Sequence, residues 1–149
     1  MRAEELVKRY AMQTHPENGC FVERHYPAAE PGRPASGSIY YFVGPAERTK
    51  FHRVDCDEYW CYIAGTPLEV WQFAKDGSLS VTRLGVEPDC DPLLYIEKGV
   101  VFAARHGQQV EEGTFLSCIT VPRFSPAGFT LLEKEEMLDR YPAAKAFFR

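Results

Sequence analysis

The chain has 149 residues, 45% of them hydrophobic and 13% aromatic, enough for one well-buried core and too few for two ordinary domains, so a single domain over 1–149 is expected. A formal net charge of -4 and the absence of any Lys/Arg run exclude a footprint for phosphate backbones, and with it nucleic acid as a partner. No apolar stretch approaches the roughly 18 to 20 residues that span a bilayer, and Met1-Arg2-Ala3-Glu4-Glu5 has no signal-peptide character, which predicts a cytoplasmic protein without membrane contact.

From the N-terminus, Leu6, Val7 and Tyr10 on a charged background predict a short amphipathic helix over Ala3–Tyr10. Pro16 and Gly19 end that region, and Cys20–Tyr26 reads as a first strand. The segment Pro27–Gly37 holds three prolines and two glycines, which rules out a central strand and predicts a loop that serves as a flap. Strand candidates follow at Ser38–Val43, Thr49–Val54, Glu58–Ala64, Leu68–Ala74, Leu79–Leu84, Leu93–Glu97, Val101–Arg105 and Thr114–Val121. Asp76-Gly77 marks a hairpin between two of them. Glu133–Arg140, rich in Glu, Leu and Met, predicts a terminal helix, and Phe147-Phe148 must dock to escape water. Many short strands with turns between them predict an all-β barrel carrying short helices at both ends.

Five cysteines, Cys20, Cys56, Cys61, Cys90 and Cys118, include no Cys-x-x-Cys pair and are odd in number, so they read as reduced thiols, with Cys118 in the core. The richest chemistry lies between Phe51 and Gly65. Two strands joined by the turn Asp55-Cys56-Asp57 send Glu58, Trp60 and Tyr62 to one face by the two-residue period and set His52 beside Glu58. A carboxylate on an apolar inner face is costly unless it is paired or the cavity is wet. Tyr59, Cys61 and Ile63 fall on the other face and need cover.

A histidine, a carboxylate six residues on and a glycine closing the second strand resemble the first motif of the cupin superfamily. The second histidine of that motif is replaced by Val54, and of the second motif only Gly99 survives, with Phe102 where a further ligand would stand. Four stretches, His15-Pro16-Glu17-Asn18-Gly19-Cys20-Phe21, Ser38–Phe42, His52–Gly65 and Val121-Pro122-Arg123-Phe124 with Phe129, are similar to the branch called cupin 5, a domain family of unknown function. The resemblance implies a double-stranded β-helix, or jelly-roll, barrel, a homodimer, and an enclosed pocket for a small molecule such as a carbohydrate or nucleotide derivative.

Many cupins hold a metal through imidazole and carboxylate ligands. With Val54 and Phe102 at two ligand places, no metal or other cofactor is expected here. The chemistry left is acid and base catalysis, with His52 as base, Tyr40 or Tyr62 as acid, and Glu58, Trp60, Glu17 and Phe102 contacting the ligand. That set resembles the metal-free cupins that isomerise or epimerise keto-sugar nucleotides. A non-catalytic ligand-binding cupin needs the same aromatic pocket, and a metal-dependent cupin enzyme is the third reading. Trp60, Trp71 and Phe73 fit stacking on a ligand as well as core packing, and His106, before the turn Gly107-Gln108-Gln109, reads as a surface histidine.

Overall fold

A computed structural model describes residues 2–27 and 32–149. Residues 28–31 of the loop expected to form a flap lie outside the described residues.

The described residues form eleven strands and two short α-helices: α1 (Ala3–Arg9), β1 (Gln13–Thr14), β2 (Cys20–Glu23), β3 (Gly37–Val43), β4 (His52–Arg53), β5 (Asp57–Gly65), β6 (Leu68–Phe73), β7 (Leu79–Leu84), β8 (Leu93–Ile96), β9 (Val101–Arg105), β10 (Thr114–Val121), β11 (Thr130–Leu131) and α2 (Lys134–Arg140). They form two antiparallel sheets, ordered β1-β2-β3-β10-β5-β8 and β11-β4-β9-β6-β7. The non-consecutive neighbours β3, β10 and β5 in one sheet, and β4, β9 and β6 in the other, give the crossed connections of a jelly roll. Trp60, Leu68, Leu84, Ile96, Phe102 and Leu116 fill the space between the sheets.

Two satellite clusters seal the outside. Tyr40 and Phe42 differ in parity from Tyr41, yet all three are covered, because α1 brings Leu6, Val7 and Tyr10 over the outer side of β3. At the other sheet, Phe51, Trp71 and Phe73 pack under the C-terminal segment, where Met137 of α2 and Phe147 of the 3-10 stretch Pro142–Phe148 are fully buried. Trp71 and Phe73 are therefore core residues of that cluster and leave no face for a ligand. Arg105 fixes the segment by donating to the carbonyls of Ala146 and Phe147 at 3.1 and 3.0 Å while its guanidinium lies over the Trp71 ring.

The expected strand Thr49–Val54 shortens to His52–Arg53, because Thr49 leaves the regular ladder. Its N–H donates to the Ala104 carbonyl, and its hydroxyl accepts from the Ala104 N–H at 2.8 Å, a side chain standing in for a backbone acceptor. The first strand likewise stops at Glu23. His106, expected at the surface, is buried, with its Nε2 3.0 Å from Thr114 Oγ1. No helix among the described residues is long and apolar enough to cross a membrane.

Candidate functional site

The turn between β1 and β2 carries two functional groups inward. It is closed by hydrogen bonds from the His15 N–H to the Gly19 carbonyl and from the Asn18 N–H to the His15 carbonyl, 2.9 and 3.1 Å. Asn18 and Gly19 have φ values of 80° and 77°. Asparagine is one of the few residues with a Cβ that takes this region readily. At Gly19 a Cβ would also lie 2.5 Å from the Phe42 carbonyl oxygen, so glycine is required. The Lys50 N–H donates to the Glu17 carbonyl at 2.8 Å and ties the turn to the segment leading into β4.

Glu17 and His52, 4% and 2% exposed, meet there with 2.6 Å between Oε2 and Nε2. The Nδ1 of His52 lies 2.8 Å from the Lys50 carbonyl, which can only accept, so Nδ1 carries a proton. Burial by itself pushes the His52 imidazole down, but the charge and hydrogen bond of Glu17, with Glu58 beyond, raise it above its ordinary value. For Glu17 burial pushes upward, and the charge and hydrogen bond of His52 win and hold the carboxyl low. The two form a buried imidazolium–carboxylate pair. Its imidazolium is paired with Glu17, not with Glu58 as the spacing in the sequence suggests.

Glu58 and Trp60 lie on the inner face of β5, as their parity predicts, and Trp60 Nε1 donates to Glu58 Oε2 at 3.1 Å. Burial pushes the Glu58 carboxyl up to about 7; His52 pulls it down, Glu17 adds to the rise, and the Trp60 N–H opposes it. Phe102 sits opposite His52 across the β4–β9 ladder with ring centroids 4.2 Å apart, and its ring meets Trp60 edge-on. It backs the site from the core rather than facing a ligand.

Glu17, His52, Glu58 and Trp60 line a cavity of about 560 Å³. His15, Glu17, His52, Glu58 and Trp60 supply its polar side, and Phe21, Ile39, Val54 and Phe129 its apolar walls. On the solvent side Arg33 binds Asp55 through both terminal nitrogens and donates from Nε to the Arg123 carbonyl at 2.6 Å. Arg123 in turn pairs with Glu23 and lies over the Tyr26 ring. Cys118 lines the cavity too, and burial keeps it a thiol.

The two tyrosines expected as acids lie elsewhere. Tyr40 points to the outside of β3, against Tyr10 and Phe115 and beneath Arg24. Tyr62 shares the parity of Glu58 and Trp60 but stands one step further along β5, where its hydroxyl donates to the Gly65 carbonyl and its charged neighbours are Glu112 and Glu87. The pairing of β5 with β10 shifts beside it, between Phe115 and Leu116. His15 faces the same cavity, brought there by the turn that closes between His15 and Gly19.

A family model described as cupin superfamily (DUF985) matches residues 4–132, ending at the close of β11 and leaving α2 and the C-terminal segment outside. No curated protein matches the chain. Among solved structures, a protein of Shewanella oneidensis is 27% identical, with a TM-score of 0.90 over 98% of this chain and 94% of that one. A hypothetical protein from Leishmania major is 26% identical, with a TM-score of 0.86 over 98% and 96%. Oxalate decarboxylase from Bacillus subtilis is 18% identical, with a TM-score of 0.63 over 80% of this chain and 29% of that one, a likeness of fold.

The donor set here fits a cupin-type metal centre poorly. His52 spends one nitrogen on the Lys50 carbonyl and the other on Glu17, and Val54 and Phe102 offer no ligand atom. Among the described residues, three ligand atoms come within 4.8 Å of one another only at Glu87, Asp89 and Cys90, at a distance in sequence and on the surface. Glu87 and Asp89 there are already paired with Arg83.

Proposed function

The chain belongs to the DUF985 family of the cupin superfamily, and within that family we propose that it binds a small carbonyl compound, such as a keto-sugar derivative, and moves a proton on it without a metal. The observation that carries this reading is Glu58, a cavity carboxyl pushed up to about 7 and standing beside a carboxyl that is held ionised. Two carboxyls driven apart in this way divide the roles, since a group that titrates near neutral pH both takes and returns a proton. Glu17 and His52 satisfy each other and act as the fixed ion pair that keeps the site polar, so the proton-exchanging role passes from the histidine and tyrosines to Glu58. The aromatic walls suit the apolar face of a sugar ring or base.

The test is solvent exchange. In D2O, a panel of ketoses, aldoses, keto acids and sugar nucleotides is followed by proton NMR. One class is expected to lose its α-proton signal with the native protein and to keep it with Glu58→Gln. Binding detected by thermal shift without exchange in any class would support the non-catalytic ligand-binding cupin instead.

A second copy is proposed as the partner of the outer sheet face. Tyr59, Ile63, Leu93, Tyr95, Ile119 and Val121 are exposed there, and Ile119, Tyr59 and Tyr95 stand in one row across β10, β5 and β8. A two-fold axis lets the same apolar row cover itself. Sedimentation at micromolar concentration is expected to give twice the mass of the chain, and Tyr95→Glu to give the monomer. A native monomer would remove the proposal.

A further inference from the structure

Building on the proton-transfer reading, we infer that the Nε2–H of His15 is the hydrogen-bond donor that meets the carbonyl oxygen of the substrate in the cavity it shares with Glu58. The tautomer follows from geometry. The backbone N–H of Glu17 donates to His15 Nδ1 at 3.2 Å, and because an N–H can only donate, that ring nitrogen must carry the lone pair and the ring proton must sit on Nε2. The ring is held edge-on by Phe21, Tyr41 and Phe129, with centroids 4.9, 5.4 and 6.5 Å away, so the donor is preset rather than free to rotate. His15 lines the cavity, and its Nε2 has no partner among the described residues and is not closed off by packing. Burial lowers its pKa against the opposing charge of Glu17, which favours the neutral ring. The other imidazole of the cavity is unavailable, since both nitrogens of His52 are engaged.

The reaction then balances on residues of this chain. The Glu58 carboxylate takes the proton from the carbon next to the carbonyl, forming its O–H. The C–H electron pair becomes a C=C bond, and the carbonyl π pair moves onto oxygen. His15 stabilises that oxygen by its hydrogen bond, without transferring its proton. Return of the proton from Glu58 to the same carbon restores the carbonyl and, in D2O, leaves deuterium there; where that carbon bears a hydroxyl, passage of the hydroxyl proton across the enediolate to the former carbonyl oxygen, with delivery of the Glu58 proton to the former carbonyl carbon, completes an aldose–ketose isomerisation. One well-placed donor of this kind is worth about 10²- to 10³-fold in rate.

The experiment pairs two variants with one measurement on the unreacted protein. His15→Phe keeps the aromatic packing and removes the donor, and it is expected to lower α-proton exchange by about 10²- to 10³-fold; His15→Gln restores an N–H and is expected to recover most of that loss. In ¹⁵N-labelled native protein at pH 8, His15 is expected to be the neutral Nε2–H tautomer, and its Nε2–H resonance to shift with dihydroxyacetone and not with glycerol. A His15→Phe protein that exchanges at the native rate, an Nδ1–H tautomer, or a resonance that ignores dihydroxyacetone each overturns the assignment. If the native protein exchanges no compound, the proton-transfer reading fails on its own, and the tautomer and the dihydroxyacetone shift still decide the role of His15.

Discussion

Glu17→Ala is expected to destabilise the fold by about 3 to 5 kcal/mol near pH 5.5, the cost of stripping one partner from a buried pair and leaving the other charge uncompensated. Glu17 and His52 are both almost fully buried and are 2.6 Å apart, and the Glu17 backbone also receives the Lys50 N–H. The pH dependence follows from the two directions of shift. Glu17 is held below its ordinary 4.5, so its contribution is present above 4.5 and is lost as pH falls through the lowered value. His52 is raised above its ordinary 6.5, so its contribution is complete below 6.5 and is lost as pH rises through the raised value. The gap between native protein and Glu17→Ala is thus widest between about 4.5 and 6.5 and narrows on both sides, because an unpaired His52 sheds its proton at higher pH. Urea unfolding at pH 3, 5.5 and 9 measures it. A gap that is flat with pH would mean that the two side chains do not form an ion pair.

Glu58→Gln is expected to have the opposite effect on stability and to remove activity. Folding raises the Glu58 pKa from 4.5 to about 7, so the folded protein holds that proton more tightly than the unfolded chain. The resulting stabilisation is complete below 4.5, declines as pH rises toward 7 and then levels off. At about 1.4 kcal/mol for each pH unit, the ionised carboxylate costs about 3 kcal/mol by pH 8. Glutamine keeps an oxygen for the Trp60 N–H and never ionises. The variant should therefore melt about 6 to 12 °C higher than the native protein at pH 8 and at nearly the same temperature at pH 4, while α-proton exchange falls by 10²- to 10⁴-fold. A residue that costs stability at neutral pH and whose neutral isostere abolishes turnover is one retained for chemistry. Equal melting temperatures at pH 8 would contradict the shifted carboxyl.

The parts of the site that were legible in the sequence are those set by local periodicity. Glu58 and Trp60 face inward because β5 alternates, whereas Phe102, expected against a ligand, stacks on His52 from the neighbouring strand β9. Spacing could not reveal the true partner of His52. Glu17 reaches it through a turn held by a backbone bond to Lys50, 33 residues away, and no local pattern records that contact. The same turn hides His15, whose role rests on a bond from the Glu17 N–H.

The tyrosines were misplaced for two different reasons. Residues 39–43 of β3 are apolar on both faces, because α1 covers the outer one, so alternation alone does not say whether Tyr40 or Tyr41 points inward. Tyr41 does, and it donates to the Asn18 carbonyl at 2.6 Å beneath the Glu17 turn. Tyr62 has the correct parity at the wrong height along the barrel. The fold was more readable than the site, since it depends on many short strands and their turns, whereas the site depends on a few contacts between distant segments.

The most direct measurement is the titration of Glu58 itself, by carboxyl ¹³C NMR on glutamate-labelled protein, with Glu58→Gln assigning the resonance. A midpoint near 7 is expected, more than two pH units above an ordinary glutamate. A midpoint near 4.5 would leave the cavity without a group poised to exchange protons at neutral pH and would contradict the proposed chemistry.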